Sequence, residues 1–90
     1  MKSKVFRIYI EDVTEQAEAV EMLVNSRLNC FTVYRAVGCW QGKQEQSLII
    51  EVISDIAMYF TVKALARELK TLLRQEAVLV TEQEIDAELI

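Results

Sequence analysis

Apolar and polar positions along this chain repeat with two different periods, and each period dictates an element. In Val5-Phe6-Arg7-Ile8-Tyr9-Ile10 the repeat is two, with Phe6, Ile8 and Ile10 on one face and Val5, Arg7 and Tyr9 on the other. That alternation predicts a strand resting one face on a core. The repeat then changes: Val13, Ala17, Val20, Val24 and Leu28 recur at helical spacing, which predicts a helix over residues 14–28. Asp12 followed by Glu15 reads as a capping-box start for it.

Residues 31–53 predict one long hairpin with Trp40 near its tip. Its arms, residues 31–37 and 48–53, flank a polar stretch that holds the only two glycines of the chain, Gly38 and Gly42. Glycine enters positive-φ turn and bulge positions without a Cβ clash, so both are assigned to such positions. The alternation in the arms is incomplete. Phe31, Val33, Val37 and Cys39 share one side while Tyr34, Ala36 and Trp40 line the other, and Leu48, Ile50 and Val52 oppose Ile49 and Ile53. Strands that are apolar on both sides are strands covered on both faces.

Ser54 and Asp55 can cap a second helix carrying Met58, Val62, Leu65, Ala66, Leu69, Leu72 and Leu73 on one stripe, with no proline to break it before Gln75. Residues 77–81 predict a last strand. The tail from Glu82 keeps Ile85, Ala87 and Leu89 in period two, the pattern of a further strand along another edge.

The order strand, helix, strand, strand, helix, strand is the βαββαβ arrangement of an α+β ferredoxin-like domain, here with a long central hairpin and residues 1–90 in a single domain. Two helices cover one face of a four-stranded sheet. The surplus apolar residues of the hairpin therefore fall on the other face, as an association surface. Composition points the same way. A chain of 90 residues that is 52% hydrophobic buries only a modest share of its unfolded surface, which favours assembly with partner subunits.

The net charge of −4 argues against general binding to nucleic acid or anionic membranes. No apolar run approaches the roughly 20 residues that cross a bilayer, and Arg7 interrupts any signal-type core at the start, so a cytoplasmic location is expected. Cys30 and Cys39 are read as small buried hydrophobes in a reducing compartment. Nine residues apart along one strand, they are too distant to bridge.

The run from Tyr34 to Glu45, with Tyr34, Trp40, Gly42, Lys43 and Glu45 ahead of the aliphatic residues 48–53, resembles the hairpin of the PII/CutA-type trimeric proteins. The resemblance implies a homotrimer whose sheets face one another around an axis, with hairpins and C-terminal strands reaching to neighbours. It implies a non-enzymatic, small-ligand-binding or regulatory scaffold, with ligand or interface positions at Tyr34, Trp40, Gly42, Lys43 and Glu45. Two departures stand out. The chain has no histidine, and it lacks the long flexible loop of signalling PII proteins, which counts against ATP or 2-oxoglutarate sensing. The spacing of Gly38, Trp40 and Gly42, with Gln75, Glu76, Val78 and Leu79 downstream, is also similar to short uncharacterised domains with a Gly-x-Trp-x-Gly hairpin.

The residues themselves bear on other chemistries. A divalent-metal site would draw on Cys30 and Cys39 with Glu45 or Glu51, in a spacing that matches no zinc pattern. Nucleophile systems that need histidine are excluded, and no glycine-rich phosphate loop precedes either helix. Glu51, on a mostly apolar strand, is a candidate acid/base carboxylate or else the partner of Arg7 or Arg35. Lys63, Arg67, Lys70 and Arg74, at offsets of four, three and four, form a basic stripe. That stripe pairs with Glu15, Glu18 and Glu21 of the first helix, or it contacts an anion or RNA, with Tyr34 and Trp40 as stacking aromatics. A metal binder and an RNA-binding ferredoxin-like module are thus the alternatives to the PII/CutA-type scaffold. The sequence names no ligand or cofactor.

Overall fold

In the computed structural model, which describes residues 2–90, β1 (Lys2–Glu11) lies inside the sheet and is paired on both sides. On one side it runs antiparallel to β3 (Lys43–Ser54), on the other to β4 (Leu79–Asp86), while β2 (Thr32–Trp40) pairs with β3. The sheet order is β2-β3-β1-β4, the ferredoxin-like order of an α+β fold. Helix α1 (Ala17–Arg27) crosses from β1 to β2 and α2 (Tyr59–Leu73) from β3 to β4. Right-handed crossovers put both on the same face.

That face holds the core. Phe6, Ile8 and Ile10 of β1 and Ile50 and Val52 of β3 meet Val20, Val24, Val62, Leu65 and Leu69 of the helices, all essentially excluded from water. Each burial follows from the predicted parity, because side chains two apart on a strand share a face.

Several local expectations are corrected. Asp12 does not cap the first helix: its Oδ2 accepts from Arg35 Nε at 3.0 Å, and a 3-10 turn (Thr14–Gln16) without a side-chain cap leads into α1. The carboxylate is taken by an ion pair whose Arg35 side is exposed, in place of a cap. Ala17 is exposed, because that turn rotates the start of the helix away from the core. Asp55 does cap, its Oδ1 accepting from the Ala57 N–H at 3.0 Å, ahead of a 3-10 turn (Ile56–Met58). Helix α2 ends at Arg74, which stands in the left-handed region at φ 52° while the Gln75 N–H reaches back to the Lys70 carbonyl at 3.1 Å. That closing bond satisfies a terminal carbonyl that the helix leaves open.

The final strand begins at Leu79, two residues later than expected, and runs on to Asp86. The tail pattern around Ile85 therefore belongs to β4 itself, opposite Ser3 of β1, and not to a strand on another edge. No regular structure follows Asp86. The hairpin ladder is also longer than its apolar arms. It continues through the polar stretch to a Trp40–Lys43 pair, leaving only Gln41 and Gly42 as the turn. Both have positive φ, 50° and 80°, the signature of a two-residue type I′ hairpin. Gly38 is neither turn nor bulge; it lies in the ladder opposite Glu45, where a Cβ would come within 3.2 Å of Ser47 Oγ.

Candidate functional site

The register assigns every residue of the hairpin to a face. Tyr34, Ala36, Gly38 and Trp40 of β2 stand opposite Ile49, Ser47, Glu45 and Lys43 of β3. Cross-strand pairs share a face, and this one is the face without helices. The ladder between β1 and β3 ends at Glu11–Ser47, with one further bond from the Asp12 N–H to the Gln46 carbonyl at 2.9 Å. Beyond it the hairpin carries only itself and projects from the body; the whole chain measures 38 Å along its longest axis.

Trp40, Gly42, Lys43 and Glu45 are brought together at this projecting end. Trp40 is 51% exposed, so its own chain covers only about half of it. An aromatic plane, a cation and a carboxylate side by side can stack on a planar ring and take both charged and hydrogen-bonding groups. Tyr34 is not part of that cluster. Six residues of strand, about 20 Å, separate it from Trp40, and its hydroxyl instead donates to Glu51 Oε2 at 3.2 Å.

Glu51 is the centre of a second feature on the same face. Its Oε2 accepts from Arg7 Nε at 2.8 Å, directly across the ladder between β1 and β3. The hydrogen bond to Glu51 raises the Arg7 pKa above its ordinary value, against a smaller opposing effect of burial. Thr32 and Thr81 lie across the ladders from Glu51 and Arg7, and the neighbours along β1 and β3 on this face are apolar. Val5 and Ile49 are buried among their cross-strand neighbours, while Ile53 and Leu79 remain 51% and 59% exposed. Arg35 cannot reach Glu51, because it occupies the helix-side parity of β2 and pairs with Asp12.

Cys30 and Cys39 are both exposed free thiols, contrary to the expectation of buried hydrophobes. Cys30 lies in the connection ahead of β2, and Cys39, though on the helix-side parity, is carried past the helices by the long ladder. More than 20 Å of strand lies between them. Among the described residues no group of three or more cysteine or carboxylate side chains is placed to hold a metal ion. Among the described residues no helix is long and apolar enough to cross a membrane.

The basic stripe of α2 takes a course that the charge pattern did not give. The ion pair between the helices is Arg27–Glu68, with Nε and Nη2 at 2.9 and 2.8 Å from the two carboxylate oxygens, so the glutamates of α1 do not neutralise the stripe. Lys63, Arg67 and Lys70 instead line a groove of about 400 Å3 between α2 and β4, floored by Ala66, Val78 and Val80. Just past the end of α2, Gln75 ties two elements together. Its Oε1 accepts from the Glu11 N–H at 3.0 Å and its Nε2 donates to the Ala77 carbonyl at 3.4 Å.

Neither a family model nor a curated protein sequence matches this chain. Solved structures do match in shape. A phage SAM lyase in its apo state superposes with a TM-score of 0.66 at 24% identity, over 92% of this chain and 81% of the other. CPII, a nitrogen regulatory PII-like protein from Thiomonas intermedia K12 bound to ADP, AMP and bicarbonate, gives 0.64 at 14% identity over 98% and 97%. CutA from Synechococcus elongatus PCC7942 gives 0.60 at 10% identity over 94% and 84%. The fold is that of the PII and CutA proteins. At these identities the likeness fixes the architecture and leaves the chemistry to the residues.

Proposed function

We propose that this protein is a homotrimeric small-ligand-binding scaffold of the PII/CutA type in the cytoplasm, with its ligand held between subunits at the hairpin end. The observation that carries the reading is the placement of Trp40, Lys43 and Glu45 on one uncovered face of a ladder that outreaches its own body. A half-exposed indole on a projecting arm gains its cover from a second chain, and the crevice so formed is concave and partly apolar, as ligand sites are. The ligand is an adenosine-bearing small molecule. Two neighbours of different kinds support that choice: one holds ADP and AMP and another is a lyase named for S-adenosylmethionine.

Sedimentation equilibrium tests the assembly and Trp40 fluorescence tests the ligand, since Trp40 is the sole tryptophan. Expected are a trimeric mass and a saturable change of emission with AMP, ADP or S-adenosylmethionine, with Trp40→Ala lowering the mass. A monomer at micromolar concentration, or emission that none of the three compounds alters, overturns the reading.

A second reading, that the chain is an enzyme acting on S-adenosylmethionine, is favoured by the 24% identity with the phage SAM lyase over nearly the whole chain. Glu51, holding Tyr34 and Arg7 on one oxygen, is its candidate acid/base group. Incubation with S-adenosylmethionine, followed by chromatography of the products, separates the two. Turnover abolished in Glu51→Gln with the mass unchanged establishes the enzyme; loss of assembly with no reaction in the wild type assigns Glu51 to structure.

A further inference from the structure

We propose that the groove between α2 and β4 is a binding site for a small anion carrying two or more phosphate groups. Lys63, Arg67 and Lys70 stand on one wall of it, spread over about 10 Å of helix. At spacings of four and three residues these like charges repel one another when no anion lies between them.

One carboxylate of each flanking element is engaged elsewhere. Glu68, on the same helix, is held by both nitrogens of the Arg27 fork, and Glu82, on the helix-side parity of β4, pairs with Lys4 at 3.6 Å. Among the described residues none of the three groove cations is in an ion pair. In a chain of net charge −4, three uncompensated cations in one hollow are a local reversal of sign. Such a concave reversal concentrates anions.

The groove is also prepared for a ligand. Lys63 Nζ is held 4.8 Å above the centre of the Tyr59 ring, which restricts a side chain that is otherwise mobile. The Gln75 bonds to Glu11 and Ala77 hold the helix end against the sheet. The floor of Ala66, Val78 and Val80 lowers the local dielectric and so strengthens each charge contact above it.

Charge matching sets the class. Three cations balance a charge near −3, more than the −1.5 to −2 of one phosphoryl group, so the ligand carries at least two. A nucleic-acid strand is disfavoured because it needs a basic track that continues along its length. Here the basic surface runs only from Lys63 to Arg74, about three turns of one helix.

Calorimetric titration with inorganic pyrophosphate at low salt is the test, alongside inorganic phosphate and single-stranded RNA oligomers of two lengths. Expected is saturable pyrophosphate binding of one per chain, at least tenfold tighter than phosphate. It weakens at least tenfold in Arg67→Gln and in Lys70→Gln, is partly restored in Arg67→Lys, and is unchanged in Trp40→Ala. Both cations are exposed, and circular dichroism verifies that the variants fold. Absence of saturable pyrophosphate binding, affinity unmoved by either substitution, or RNA that binds more tightly than pyrophosphate and tightens with length overturns the proposal. The groove is built within one chain, so the result is read independently of the trimeric mass.

Discussion

The two faces of this sheet are made from the same strands and treated in opposite ways. On the helix side, Phe6, Ile8, Ile10, Ile50 and Val52 are sealed by residues of their own chain. The other side carries Val5, Tyr9, Ile49, Ile53, Tyr34 and Leu79 with no helix over them, and an Arg7–Glu51 pair stands in their midst. Period-two alternation ordinarily sends polar residues to the second face. Here it sends apolar ones, so the sequence encodes two apolar surfaces, one filled by the chain itself and one that the proposed trimer would cover.

The comparison is broken most severely from the helix side. Leu65→Ala opens a cavity in a site with no exposure and costs about 3–5 kcal/mol, a large part of the stability of a domain this small. Its denaturant midpoint falls by the same amount at every protein concentration. From the open side the expected signature differs. Ile53→Asp leaves the isolated fold intact, because Ile53 is exposed in the single chain, but it buries an unpaired charge on association. That costs about 3 kcal/mol, roughly a hundredfold in the association constant, and sedimentation across a concentration series measures it. A wild-type mass for Ile53→Asp removes this face from the interface.

Smaller effects sharpen the picture of the helix layer. Arg74 occupies a left-handed conformation that disfavours any side chain. Arg74→Gly keeps the closing bonds and is expected to stabilise by about 0.5–1 kcal/mol, a rise of a few degrees in melting temperature. The smallest effect is that of pH. The hydrogen bond from Arg27 lowers the Glu68 pKa below its ordinary value. Its contribution is therefore complete above the usual carboxylate range and is lost as pH falls through the lowered value. The difference in melting temperature between wild type and Arg27→Gln, small at neutral pH, is expected to vanish in acid.

Much of the helix layer was legible in the chain because two periods and a shift between them are local signals. The extra length of the hairpin was not, since Gln44, Gln46 and Ser47 lack strand-like side chains and pair only because β2 runs opposite them. Asp12 followed by Glu15 looks like a cap until Arg35 arrives from a strand 23 residues away. At the candidate site, parity alone puts Tyr34, Trp40, Lys43 and Glu45 on one face. Their separation along the ladder needs the register, and that register divides Tyr34 from the rest. Arg35 was separable from Glu51 by the same counting, having the parity of Val33 and Val37. The stripe on α2 was visible as charge, but its freedom from α1 depends on Arg27 choosing Glu68, a contact no local pattern announces.

The turn at Gln41 and Gly42 has only two residues, so the side on which the indole of Trp40 emerges is fixed by counting from the body of the sheet. A single residue inserted in β2 after Tyr34 would swing the ring to the helix side and bring Cys39 to the front in its place. Substitutions at the tip change what the arm offers, whereas insertions change the direction in which it offers it.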